Sequence, residues 1–299
     1  MIPPVGDEAI IGVYGPLSTT LEGIKLFMRT VLASSPWRSE PSLVPLPWRE
    51  QPTPPPPTKL RVAIMWDDGV VKPHPPVQRA LRETAAKLRT APDVELLDWH
   101  PYKHDEAWRL TRSLYFTDGG EGDKQAIAAT GEPWLPLSRW ILSEYPLAQH
   151  RDITDVWELV GQRERYRAEY ASRWNATATG QDRLGRPMGM VDVILCPVGP
   201  GVAPPLECSR YWPYTSQWNL LDYPALVVPT GMRVDPTKDA RELGYVPRNG
   251  DDEYNYELYA PEKYVNAPIS LQVVGRRFMD EEVIWAAERL SGYCGFRAA

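Results

Sequence analysis

The chain has 299 residues, 43 % apolar and 24 % charged, which provides for a sizeable core and excludes wholesale disorder. Its formal net charge is −6, its isoelectric point is near 5.4, and it carries no basic block, which argues against a nucleic-acid partner because phosphate neutralisation supplies most non-specific affinity. Its longest apolar runs fall far short of the roughly 18 residues of a membrane span, and no charged-then-apolar leader opens it, so neither membrane insertion nor secretion is expected.

Three cysteines at irregular spacing, Cys196, Cys208 and Cys294, form neither a disulfide framework nor a CxxC site, which fits a reducing, cytoplasmic setting. Proline is the compositional outlier: 32 of 299 residues, about twice the usual ~5 %. Proline at this level without a repeat points to many rigid connections in a loop-rich α/β fold.

In chain order, Thr19 and Glu22 have the spacing of a capping box, and Leu21, Ile24, Met28, Val31 and Leu32 then recur at helical spacing until Pro36. One face of this helix is wholly apolar and needs a partner surface. Residues 51–58, QPTPPPPT, form a stiff polyproline connection inside the domain. Residues 61–66 read as a buried strand, Pro75 and Pro76 as the first turn of a helix with Val77, Leu81, Ala85 and Leu88 inward, and residues 94–97 as a second strand. Strand, helix, strand makes a parallel βαβ unit. Residues 103–150 look helical and irregular, with turns at Asp118-Gly119-Gly120 and Gly131. Asp152 caps a long helix over residues 153–174, whose stripe is Ile153, Val156, Trp157 and Val160. Residues 191–198, 225–229 and 269–274 read as buried strands. Residues 235–266 read as a polar, tyrosine-rich excursion between two of them. A last helix starts at Asp280, turns Val283, Ile284, Ala287 and Leu290 inward, and ends at Gly292. The pattern is an α/β mixed sheet flanked by helices.

Few residues offer self-contained chemistry. His100 and His104 have a ligand spacing, but Pro101 between them spoils a shared helix face, so no metal is expected. Cys196 sits at a strand end among apolar residues and reads as a structural thiol. Ser34 and Ser35 end a helix. Gly199-Pro200-Gly201 lacks the pattern of a phosphate cradle, and no cofactor is expected. The pairs Asp67-Asp68, Asp251-Asp252 and Glu281-Glu282 read as solvated faces. Tyr211, Trp212, Tyr214, Trp218 and Tyr223 either line an apolar pocket or pack a core.

Four stretches carry a resemblance as a set. They are residues 13–32 (VYGPLSTTLEGIKLFMRTVL) with 36–49 (PWRSEPSLVPLPWR), residues 113–120 (SLYFTDGG), residues 219–231 (NLLDYPALVVPTG) and residues 264–284 (YVNAPISLQVVGRRFMDEEVI). Their order resembles the carboxy-terminal half of the amidase signature family, closest to its fungal acetamidase-like branch, over residues 2–293. The resemblance implies an amidase-signature-type mixed sheet and hydrolysis of a carboxamide to a carboxylate and ammonia or an amine. In the family this runs through a Ser–cis-Ser–Lys triad and a backbone oxyanion site.

The family's lysine and GGSSGG-type loop precede the GPL segment, here Gly15-Pro16-Leu17, and no GGSSGG string occurs in this sequence. No triad residue is therefore carried over. The whole chain, residues 1–299, is expected to be a truncated, catalytically incomplete carboxy-terminal part of one domain, inactive alone. It would take a small-molecule amide when completed by a complementary polypeptide, or associate as a homo-oligomer. The resemblance places Trp218 and Asn219, and more weakly Pro197, at the substrate wall. The alternative reading is a non-catalytic small-molecule-binding or scaffold protein that keeps the aromatic pocket.

Overall fold

A computed structural model describes residues 6–50, 59–144 and 148–296. The proline-rich segment 51–58 lies outside the described residues. The sheet has five strands in the order β2-β1-β5-β7-β6: β1 (Leu60–Ile64), β2 (Val94–Asp98), β5 (Val193–Pro197), β6 (Ala225–Arg233) and β7 (Pro268–Val274). β3 (Gly180–Gln181) and β4 (Pro187–Met188) form a separate small hairpin. β2, β1 and β5 are parallel, with Ile64 opposite both Asp98 and Leu195. β7 runs antiparallel to β5, with Cys196 opposite Gln272, and β6 runs antiparallel to β7. The sheet is therefore mixed, as the sequence pattern and the resemblance both anticipate.

Side chains alternate across the strands and build two cores. Val62, Ile64, Val193, Leu195, Leu271 and Val273 face one layer, covered by α2 (Pro75–Arg89) and α9 (Asp280–Cys294). Ala63, Met65, Ile194, Cys196 and Val274 face the other, covered by α3 (His104–Tyr115), α6 (Ile153–Asn175) and α7 (Pro213–Leu221). Pro75 and Pro76 open α2 with His74 as N-cap, and Val77, Leu81, Ala85 and Leu88 are buried beneath it. The short helices α4 (Glu121–Thr130) and α5 (Pro136–Arg139) fill the irregular stretch after α3, with Gly120 and Gly131 in the left-handed conformation at the two ends of α4.

Several local expectations are corrected. The cap of α1 (Leu21–Ala33) is Thr20, whose Oγ1 accepts from the Gly23 amide at 3.0 Å, so Thr19 and Glu22 make no capping box. Asp152 does cap α6, accepting from the Thr154 and Asp155 amides, but Ile153 and Trp157 are exposed. The buried face of α6 is Tyr166, Tyr170 and Trp174, because only its second half lies on the sheet. Helix α9 runs past Gly292 and stops where Gly295 takes φ +69°. The excursion between β6 and β7 holds α8 (Gly250–Leu258), capped by Asn249, and a 3-10 turn at Pro261–Tyr264.

Two surfaces lack cover among the described residues. Helix α1 has no buried residue, and its Leu26, Phe27 and Val31 face solvent. Strand β6 is the last in the sheet and exposes Ala225 and Val227, the latter 48 % accessible.

Candidate functional site

A cavity of about 300 Å³ opens beyond the carboxyl end of β5. Three segments wall it: residues 198–204 after β5, residues 208–215 leading into α7, and Asn255, Leu258 and Tyr264 from the excursion. Open α/β sheets place ligands at the carboxyl ends of strands, and this volume is at the small end of ligand pockets, about 300–1,000 Å³.

His74 joins these walls. Its amide donates to the Pro200 carbonyl at 2.6 Å, and its Nε2 lies 2.7 Å from the Asn255 carbonyl. The ring is 4.7 Å from that of Tyr259 and almost fully buried. Burial pushes its pKa down to about 4, so at neutral pH the ring is uncharged. Nε2 then donates to Asn255 and Nδ1 is an acceptor, left without a partner. A Cβ on Gly201 would lie 2.4 Å from Nδ1, so the close approach of this loop requires glycine.

Buried carboxylates hold the scaffold. Asp68 accepts from the Tyr211 hydroxyl at 2.6 Å and from the Val70 and Val71 amides at 2.9 and 2.8 Å. Burial outweighs these bonds and pushes its carboxyl up to about 6. Asp252 accepts from the Lys72 amide at 2.9 Å, the Tyr245 hydroxyl at 2.5 Å and the Arg248 amide at 2.9 Å, tying the excursion to the segment before α2. The expectation that these acidic pairs are solvated is thus overturned for Asp68 and Asp252, both 1 % accessible. Gln272, also buried, donates its amide to the carbonyls of Pro197 and Tyr214, each at 2.7 Å.

Behind Arg210, which lines the cavity, aromatic rings alternate with guanidinium groups. The Arg112 Cζ lies 4.4 Å from the Trp108 ring centre and 4.9 Å from that of Trp140. On the other side, the Arg210 Cζ lies 5.4 Å from Trp140 and 5.0 Å from Tyr254. Such stacking holds a planar cation in a fixed orientation.

The residues singled out from sequence do not converge on this cavity. Pro197 is buried at the end of β5, one residue before the lining begins, with its carbonyl bonded to Gln272. Trp218 packs in the core, its ring 6.2 Å from Tyr170 and 6.4 Å from His104. Asn219, next along α7, is exposed. Of the aromatic cluster, Tyr211 and Trp212 line the cavity while Tyr214 and Trp218 are core, so both readings of the cluster hold in part. Cys196 is buried, and desolvation pushes its thiol pKa up. His104 starts α3, buried, with its pKa pushed down to about 4 by desolvation, while His100 is exposed in a loop. Among the described residues, no group of three or more His, Cys, Asp or Glu side chains is placed to hold a metal ion, and no helix is long and apolar enough to cross a membrane. Sequence reasoning missed His74, Arg210, Tyr254 and Asn255. The available signals were a histidine capping a Pro-Pro helix start and the tyrosines of the excursion.

The family model described as Amidase matches residues 3–284. The chain belongs to the amidase family. An amidase-type protein of Schizosaccharomyces pombe is 42 % identical over 285 residues, covering 95 % of this chain and 50 % of that protein. The acetamidase of Aspergillus oryzae is 32 % identical over 295 residues, covering 97 % of this chain and 52 % of its own length. Among solved structures, fatty acid amide hydrolase matches 97 % of this chain and 49 % of its own, with a TM-score of 0.87 and 32 % identity. The amidase chain spans about half the length of the curated relatives it matches. Its kinship is with the fungal acetamidases, and its mixed sheet flanked by helices is that of fatty acid amide hydrolase. The quoted motifs fall on the scaffold of the cavity: residues 219–231 run from α7 into β6, and residues 264–284 hold β7 and the start of α9.

Proposed function

We propose that this chain works in the hydrolysis of a carboxamide to a carboxylate and ammonia or an amine, supplying the wall of the substrate site rather than the attacking nucleophile. The observation that carries the reading is its match to the fatty acid amide hydrolase fold over 97 % of its length, with a cavity at the carboxyl end of β5. Amide hydrolysis needs an activated nucleophile, a proton donor for the leaving amine and donors for the oxyanion. Three lysines of this chain are held in ion pairs: Lys72 with Glu242 at 2.6 Å, Lys25 with Glu288 at 3.1 Å and Lys103 with Glu169 at 3.3 Å. Ser34 donates to the Val31 carbonyl at the end of α1, and the Cys196 thiol is buried and held protonated by desolvation.

We assign the nucleophile set to a complementary polypeptide segment bearing the GGSSGG-type loop, whether joined to these residues or separate. Helix α1 and the edge of β6 are the surfaces on which it would pack. Asn219, exposed on α7, would meet the substrate or that polypeptide at the joint, with Trp218 and Pro197 supporting the wall from below.

The test is ammonia release from acetamide and longer amides by the purified chain, alone and joined to the amino-terminal half of the A. oryzae acetamidase. The expected outcome is no release alone and release from the joined protein. Turnover by the chain alone would overturn the assignment of the nucleophile. An inert joined protein that is folded would overturn the amidase reading.

A further inference from the structure

Arg210 is a feature of the cavity for which a simple amide has no use. It lines the cavity wall, and its Nε is buried without a hydrogen-bond partner. Among the described residues no carboxylate lies within ion-pair distance of it. Three other partly buried arginines are paired: Arg79 with Asp239 at 2.7 Å, Arg49 with Glu281 at 2.7 Å and Arg248 with Asp67 at 2.9 Å. The neighbouring Arg112, across the Trp140 ring, has its charge answered by Asp251, whose carboxyl is pushed up by burial and drawn down by that arginine. Arg210 has no ion-pair partner among the described residues, and the Trp140 and Tyr254 rings hold its plane on the wall. A planar guanidinium with an open edge matches a carboxylate in two-point contact, and its aromatic rungs reduce the entropy lost on binding.

His74 also borders the cavity, but its Nδ1 is buried against Gly201 and offers a ligand no contact. A molecule that fits Arg210 is anionic at one end. We infer that this cavity selects amide substrates that also bear a carboxylate, such as the monoamide of a dicarboxylic acid, with Arg210 as the group that reads the carboxylate. The inference rests on the reading above that the cavity is the substrate site.

The test compares two probes of equal length, succinamate and succinamide, which differ in one carboxylate against one neutral amide. Binding to the full chain is followed by calorimetry and by tryptophan fluorescence, since Trp212 lines the cavity and Trp140 stacks on Arg210. Cooperative melting is checked first for wild type and variants. Succinamate is expected to bind at least tenfold more tightly than succinamide at low ionic strength, and added salt is expected to shrink that margin. Arg210→Gln should bring the ratio below twofold, and Arg210→Lys should retain part of it. Equal affinity of the two probes in wild type, or a ratio untouched by Arg210→Gln, would overturn the inference and leave the cavity as a neutral-amide site. Failure of a cooperatively folded chain to bind either probe would overturn both readings.

Discussion

Asp68 shows how one buried acid couples the cavity's frame to pH. Its folded pKa, near 6, lies above the ordinary unfolded value of about 3.9. Below pH 4 both states hold the proton and the group costs nothing. As pH rises toward 6 the unfolded chain releases it first, so stability falls by up to about 3 kcal/mol through this range. Asp68→Asn removes that dependence. The margin of the variant over wild type, measured by urea unfolding, should therefore grow by a comparable amount between pH 4 and pH 7. A margin independent of pH would mean that Asp68 stays solvated. His74 has the opposite sign, its contribution being present above pH 6.5 and lost as pH falls through about 4, and it cancels in this comparison. The pair Asp67-Asp68 carries no mark in the sequence that separates its members. Asp67 pairs with Arg248 at the surface while Asp68 turns inward to Tyr211, 143 positions along the chain, and that distant hydroxyl is what makes its burial tolerable.

At the level of elements, local signals were legible wherever the chain itself supplied them. The parallel β1-α2-β2 unit follows from a short apolar run, a Pro-Pro helix start and a second run, and the structure forms it with β1 and β2 parallel. Asp152 at the start of α6 was readable because capping is a contact over three residues. Asp152→Ala should lower stability by about 1 kcal/mol in chemical denaturation, through loss of its bonds to the Thr154 and Asp155 amides. An unchanged midpoint would show that this first turn is frayed in solution. The stripe assigned to α6 failed for a different reason. Ile153 and Trp157 repeat at helical spacing, but periodicity does not reveal where a helix leaves the sheet. Helix α8 was illegible because its order comes from outside it: Asp252 holds the backbone at Lys72, and Tyr254 reaches the Cys208 carbonyl at 3.0 Å. The candidate site shares this property. Trp218, Asn219 and Pro197, named from sequence, do not line the cavity, and Arg210 and His74 meet there only through tertiary packing.

For the molecule as a whole, the two cores are closed and the outer faces are uneven. Leu26 and Phe27 on α1 and Val227 on the edge strand β6 leave apolar area and unpaired backbone facing water. Open edges of this kind pair with whatever strand is offered. Light scattering of the purified chain should show association that rises with concentration, and the double variant Phe27→Glu, Val227→Lys should lower it. A monomer at all concentrations would mean that these faces are covered in solution. Gln272 bears on ligand size. By gripping both Pro197 and Tyr214, its side chain welds strand and helix into a single footing. A bulkier guest cannot sink into that footing; it has to lift the overhang formed by residues 234–267, so evolution toward larger guests would rewrite the overhang and leave the masonry alone.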